Sequence, residues 1–179
     1  MAVNLTSNAH NIIPTADSAD NSLMRDVIGN KTDSFAGDSL YAVTSNIFSQ
    51  GYKLAISSEV DCTAASPITV FTVTGDVTMK IFGVVKSSLT TAGAITAKLG
   101  VAGLPAQFIA EVADATGLAI NEIWHDATPD ATVEDFSQIE EWIISNGQDV
   151  ILTTTGAVTG GTITFYAIWK ALSLNGDVA

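Results

Sequence analysis

The sequence has 179 residues, of which 47% are hydrophobic and 15% charged, with one cysteine and two histidines. A chain of this length can bury one sizeable core, and one thiol with two histidines excludes both an intrachain disulfide and a structural zinc site. The formal net charge of −12 repels phosphate backbones, which argues against direct nucleic-acid binding.

The start of the chain, residues 1–6, has no positive segment followed by an apolar one. No stretch of about 18 or more apolar residues follows anywhere in the sequence. We therefore expect neither a secretory signal peptide nor a membrane-spanning helix, and no membrane partner.

Residues 1–51 differ in character from the rest of the chain. Residues 1–16 are rich in Asn, Ser and Thr without sustained periodicity, which predicts an extended arm. From Asp17 to about Ile28, apolar residues recur at helical spacing, and Gly29 supplies a stop. We interpret this region as an arm followed by short helices, with a role in attachment and oligomerisation.

A second short helix is predicted from about Asp38 to Gln50. Leu40, Val43 and Ile47 follow the 3-then-4 spacing of a coiled-coil seam. One seam this short is marginal in isolation. The sequence therefore predicts that these three residues contribute to oligomerisation, in a homotrimer.

After Gly51 the apolar period changes from helical to two, which predicts strands. Residues that favour β-turns separate the predicted strands, at Gly75, Gly93, Asn146–Gly147 and Gly160–Gly161. Strands at this spacing are typical of a sandwich or barrel, and we predict a jelly-roll-like β-sandwich domain over residues 52–179. The nine predicted strands are Tyr52–Ser57, Ile68–Thr74, Val77–Lys86, Ala94–Val101, Ala106–Val112, Leu118–His125, Phe136–Ser145, Val150–Thr155 and Thr162–Leu172.

Two of these strands carry further information. The strand Thr162–Leu172 alternates between a fully apolar face and a partly apolar one, so it is expected to contact another subunit as well as the core. The segment Phe136–Ser145 has apolar spacing that fits a short helix equally well.

No pattern in the sequence predicts a catalytic centre. Neither nucleotide-binding glycine motif is present. The histidines are His10, in the arm, and His125, between Trp124 and Asp126. A lone histidine at a strand end is mostly structural or solvated, so we predict no catalytic residue and no cofactor.

The acidic stretch from Asp126 to Asp135 is the one polar cluster with ligands suited to calcium. Its carboxylates, on Asp126, Asp130 and Asp135 among others, do not follow EF-hand spacing. A solvated turn shaped by Pro129 and Asp130 is the favoured interpretation, and no metal site is predicted.

The tryptophans Trp124, Trp142 and Trp169 raise the alternative of a sugar-stacking platform. Each lies within an apolar alternating run. Packing in a core or an interface is therefore the favoured role.

Four segments resemble stretches of virion structural proteins of tailed phages and prophages: Asp26–Asp33, Gly37–Tyr41, Asn121–Asp130 and Ile144–Asp149. The similarity extends over residues 26–172. The resemblance implies a homotrimeric fibre, cement or decoration protein with an N-terminal attachment segment and a jelly-roll-like head. It carries over no catalytic residue.

The resulting hypothesis is a non-enzymatic virion protein that decorates or reinforces a capsid, or forms a head fibre. Its expected partners are copies of itself and the major capsid protein or another virion protein, contacted through the N-terminal arm. Its expected location is the virion, assembled in the host cytoplasm. The alternatives are a receptor- or glycan-binding module of a tail fibre, and a depolymerase with a carboxylate pair in a groove.

Overall fold

The computed structural model describes residues 51–129 and 132–179, and residues 52–179 form one compact unit. Short 3₁₀ turns lie at Ala115–Gly117 and Phe136–Gln138. The strands are β1 (Lys53–Ile56), β2 (Val60–Asp61), β3 (Ile68–Phe71), β4 (Val73–Thr74), β5 (Val77–Thr91), β6 (Ala97–Val101), β7 (Leu104–Val112), β8 (Ile123–Trp124), β9 (Trp142–Ile144), β10 (Val150–Thr154), β11 (Val158–Ala171) and β12 (Asp177–Val178).

The larger sheet is built around a long antiparallel pair, β5 and β11. Its order is β1-β11-β5-β8, with β2 also pairing with β11 and β9 also pairing with β5. The edge beside β11 is thus formed by β1 and β2, and the edge beside β5 by β8 and β9. We call it the large sheet.

The second sheet has the order β3-β10-β6-β7, and all of its pairs are antiparallel. The last strand, β12, pairs with β4 in a separate two-stranded sheet. Side chains of both principal sheets enter one hydrophobic core, including Met79 and Phe165 from the large sheet and Leu99, Ile109 and Leu152 from the second. Burial of this apolar surface is the main term that stabilises the fold.

The predicted alternation of the last long strand is confirmed. Ile163, Phe165, Ala167 and Trp169 of β11 are at most 3% exposed and point into the core. The described part of the chain is mainly β and antiparallel, as the period-two pattern predicted. The predicted arm and helices, including Leu40, Val43 and Ile47, lie outside the described residues.

The turn prediction at Gly160–Gly161 is wrong, because both residues lie inside β11. The register of β11 against β5 shifts at this point, as in a β-bulge. Gly161 has φ +118°, and a Cβ atom there would lie 2.7 Å from Leu89 Cα. Glycine is therefore needed for a close backbone approach within a strand, not for a chain reversal.

Two other predicted strands are much shorter than expected, at two and three residues. Only Ile123–Trp124 of the predicted strand Leu118–His125 pairs as a strand, because Asn121 turns the backbone with φ +72°. The ambiguous segment 136–145 contains both candidates in succession, a 3₁₀ turn and then β9.

Candidate interaction surface on the large sheet

The side of the large sheet that faces away from the core carries many apolar side chains, and we call it the outer face. Register partners in neighbouring antiparallel strands point to the same side of a sheet. Four rows of partners cross the outer face: Lys170, Thr78 and Ile143; Leu54, Ile168 and Lys80; Ile56, Tyr166 and Phe82; and Thr164, Val84 and Ile123.

Several apolar residues of the outer face are strongly exposed in the single chain. Leu54 is 59% exposed, Ile56 54% and Ile143 71%. Beside Ile56, the rings of Phe82 and Tyr166 stack with centroids 5.2 Å apart. A contiguous apolar patch rimmed by polar groups is typical of an interaction surface. The outer face can therefore bury apolar area against a partner.

A polar bridge crosses one end of the outer face. Glu141 Oε1 accepts hydrogen bonds from the Tyr52 and Thr78 hydroxyls, each at 2.8 Å. The Thr78 and Tyr52 hydroxyls, with the nearby charges of Lys80 and Lys170, hold the pKa of Glu141 below its usual value. The hydrogen bond from the Tyr52 hydroxyl to Glu141 raises the pKa of Tyr52. The bridge fastens the segment before β1 to the strand β5.

The sequence predicted part of the outer face as a contact surface. Tyr166, Ile168 and Lys170, on the second face of the strand predicted to contact another subunit, are partly exposed on the outer face. Sequence reasoning missed Leu54 and Phe82. The alternation of Val77–Lys86 held a signal for Phe82, because that residue falls on the strand's polar face.

The surroundings of Cys62 and His125 indicate a structural role for both side chains. Cys62 is 1% exposed, and burial, with the nearby Asp61 charge, raises its pKa to about 12. His125 Nε2 lies 3.2 Å from Glu134 Oε2. Each of these side chains is held within the fold, and neither geometry supplies an activated nucleophile.

The carboxylates of the acidic stretch organise their own turns. Asp126 accepts hydrogen bonds from the Thr128 amide at 2.6 Å and the Thr128 hydroxyl at 3.1 Å. Asp135 accepts one from the Ser137 amide at 2.9 Å. Asp130 lies outside the described residues. Within residues 51–129 and 132–179, no group of three or more His, Cys, Asp or Glu is placed to hold a metal ion.

The three tryptophans do not form a shared platform. Trp124 is fully buried and Trp169 is 3% exposed, so both belong to the core, as the favoured interpretation predicted. Trp124 Nε1 donates to the Asp126 carbonyl at 3.0 Å. Trp142, in the edge strand β9, is partly exposed, and Met79 lies between it and Trp169 in one row of the large sheet.

Comparisons with known proteins found no match. No family model matches it, and neither the curated proteins nor the solved structures contain a significant match. In the described ranges, no helix is long and apolar enough to cross a membrane. The resemblance to phage virion proteins therefore stays a prediction.

Proposed function

We propose that this chain is a non-enzymatic structural protein of a tailed-phage virion, acting as a homotrimeric capsid decoration, cement or head-fibre protein. The observation that carries the proposal is the outer face, where Leu54 and Ile56 are exposed beside the Phe82–Tyr166 stack and Ile143 is exposed on the opposite edge. Apolar area of this kind favours burial between subunits. A protein that works by assembly needs such a surface and needs no catalytic centre.

The charge distribution supports a ring of copies over a face-to-face pair. Residues 52–179 carry 14 acidic residues and five lysines, a formal charge of −9. Lys80 and Lys170 lie on the outer face. Two identical outer faces would bring these lysines towards each other, whereas a ring places the face against a different surface of the next copy, whose β-domain carries a net negative charge. A closed ring of three is the proposed arrangement.

The strand order supports the finer assignment of the fold as a jelly roll. At the edges of the large sheet, β1 and β2 count together as one strand, and so do β8 and β9. With β4 and β12 left out, because they form the separate two-stranded sheet, eight principal strands remain, and we number them along the chain. The large sheet then has the order 1-8-3-6, and the second sheet 2-7-4-5. This alternation between two sheets is the jelly-roll order, which occurs in viral capsid and lectin domains. Because a fold does not determine function, it supports the proposal as an analogy.

The proposed anchor is the N-terminal region, with the major capsid protein or another virion protein as its partner. Residues 1–16 are rich in Asn, Ser and Thr without sustained periodicity, which suits a segment that orders against a partner surface. The proposed location is the virion, assembled in the host cytoplasm. A tail-fibre role would use the same fold at far fewer copies per particle.

The oligomeric state tests the assembly surface. Light scattering and analytical ultracentrifugation of the full chain at micromolar concentration should give a trimer. Ile56→Asp places a charge beside the Phe82–Tyr166 stack, on the edge strand β1 of the outer face, and should shift the protein towards monomer. Leu174→Asp is the matched control, since Leu174 is 82% exposed in the turn after β11. A monomeric wild-type protein, or an Ile56→Asp variant that still forms the trimer, would sink the proposal.

Particle analysis tests the location and the anchor. Quantitative mass spectrometry of purified particles should find copies in proportion to capsid lattice positions for decoration, and few copies for a tail fibre. Deletion of residues 1–33 should abolish binding to particles that lack the protein. Equal binding by the truncated and full-length chains would show that the β-domain itself contacts the virion.

A further inference from the structure

Two asparagine–glycine pairs lie in turns that contact the turn between β4 and β5. They are Asn146–Gly147, between β9 and β10, and Asn175–Gly176, between β11 and β12. In such a pair the backbone nitrogen of the glycine can attack the side-chain carbon Cγ of the asparagine, because glycine has no side chain to hinder the approach. The two pairs are chemically alike, so the surrounding structure decides which of them reacts.

The pair Asn146–Gly147 is held by contacts outside its own turn. The Asn146 amide donates to Asp76 Oδ1 at 2.8 Å, and the Gly147 amide donates to the Gly75 carbonyl at 2.9 Å. Both residues of the pair have a positive φ, of 58° and 65°, as in a tight hairpin turn. The Gly147 nitrogen is therefore freed only when the β9–β10 turn separates from the β4–β5 turn, which is a non-local opening.

The pair Asn175–Gly176 is held within its own turn. The Gly176 amide donates to the Ser173 carbonyl at 3.0 Å, and neither residue of the pair donates a backbone hydrogen bond to another segment of the described chain. The side chain of Asn175 is exposed. Opening one exposed turn requires less free energy than separating two turns that are distant in sequence. The Gly176 nitrogen is therefore freed more often than that of Gly147.

A hydroxyl donor already lies at the side-chain oxygen of Asn175. Ser173 Oγ accepts a hydrogen bond from the Asp76 amide at 2.8 Å and donates one to Asn175 Oδ1 at 2.9 Å. This oxygen gains negative charge when the glycine nitrogen attacks Cγ, and a donor in place stabilises that charge. The Asn146 side chain forms no hydrogen bond within the described ranges, so it has no such donor.

We propose that Asn175 is a site of spontaneous deamidation in the folded protein and that the fold protects Asn146. The Gly176 nitrogen loses its proton to hydroxide and forms a bond to Asn175 Cγ. The side-chain nitrogen takes up a proton from water and leaves as ammonia. Water then opens the succinimide ring at either carbonyl, which gives aspartate or isoaspartate at position 175. The proposal concerns the isolated chain and does not rest on the virion assignment.

The modification should loosen the C-terminal strand. Isoaspartate adds one methylene carbon to the backbone just before β12, in which Val178 is buried in the core. After β12, the backbone of Ala179 forms two hydrogen bonds with that of Thr72. Both products also add a carboxylate two residues before Asp177, and like charges repel. Amide hydrogen exchange at Val178 and Ala179 should therefore be faster in the modified protein.

The test is peptide mapping by mass spectrometry of the full chain, aged at mildly alkaline pH in the folded state and, in parallel, unfolded in guanidinium chloride. Unfolding removes the contacts that distinguish the two pairs, so both should deamidate at similar rates in the unfolded chain. In the folded protein, Asn175 should react at least tenfold faster than Asn146. Isoaspartate at position 175 should be detected by its elution apart from the aspartate peptide.

Two matched variants check the assignment. Asn175→Gly should abolish deamidation of the folded chain, and Asn146→Gly, which suits the positive φ at that position, should leave it unchanged. Ser173→Ala should slow the reaction of Asn175 in the folded chain and not in the unfolded one. An equal or faster rate in the folded Ser173→Ala variant would contradict the role of the hydroxyl donor.

The proposal is overturned if Asn146 deamidates as fast as Asn175 in the folded protein. It is also overturned if Asn175 stays intact in the folded protein over the time in which the unfolded chain reacts. Neither result bears on the oligomeric state or on particle binding, which test the proposed function separately.

Discussion

Phe82 and Tyr166 are register partners across β5 and β11, and their rings stack on the outer face with planes 11° apart. Stacked aromatic pairs contribute about 0.5–1.5 kcal/mol beyond the area that they bury. A double-mutant cycle with Phe82→Leu and Tyr166→Leu, measured by urea unfolding, should therefore give a coupling free energy in this range. Additive single effects would show that the pair does not couple the two strands.

Gly100 lies where β6 and β7 approach each other closely. A Cβ atom at this position would clash with the Leu104 carbonyl oxygen and the Pro105 backbone. Gly100→Ala should lower the free energy of unfolding by at least about 2 kcal/mol, since backbone atoms cannot move aside cheaply. Gly93→Ala is the matched control, because no atom lies within 4 Å of its added Cβ. Equal stability of the two variants in urea would contradict this packing.

Cys62 reports on the integrity of the core. Because its thiol is buried with a pKa raised to about 12, little reactive thiolate forms in the folded protein at pH 8. Native protein should react with Ellman's reagent far more slowly than protein unfolded in about 6 M guanidinium chloride, a concentration that unfolds most domains. Rapid labelling of the native chain would show that the region around β2 opens readily.

The Glu141 bridge predicts a specific pH dependence of stability. The folded pKa of Glu141 lies below its ordinary value of 4.5, mainly through the Thr78 hydroxyl and next through that of Tyr52. Its ionised form therefore stabilises the fold above about pH 4.5, and this contribution is lost as the pH falls through the folded pKa. The free energy of unfolding should fall less between pH 6 and pH 3 in Glu141→Gln than in the wild type.

The difference should be at most about 1 kcal/mol, because the bridge is exposed to solvent. Glu140→Gln is the control at the neighbouring position, since the Glu140 side chain forms no hydrogen bond among the described residues. Identical pH profiles for Glu141→Gln and the wild type would mean that the bridge does not stabilise the folded state.

Calcium should have no effect on thermal stability. The carboxylates of Asp126 and Asp135 already accept hydrogen bonds from Thr128 and Ser137 in their own turns. A ligand that binds only the folded state raises the melting temperature, and its removal lowers it. EDTA should therefore leave the melting temperature unchanged in calorimetry, and a fall of several degrees would show that the acidic stretch holds a cation.

The sequence by itself determined that residues 52–179 form mainly β-strands and which side of β11 is buried. Period-two alternation is a local property, and burial of Phe165 and Trp169 follows once one face of that strand meets the core. Local patterns could not decide the role of Gly160–Gly161, because the same residue pair suits a turn and a bulge. The close approach of Leu89, a tertiary contact, made it a bulge.

The outer face depends on residues that only the tertiary structure brings together. Leu54 and Phe82 share the outer face because β11 pairs with β1 on one side and β5 on the other. Gln107 of β7 and Trp142 of β9 line one cavity because they lie in edge strands of two different sheets. Strand partners and sheet packing are non-local, since they are set by which apolar faces bury the most area together, and no spacing along the chain encodes them directly.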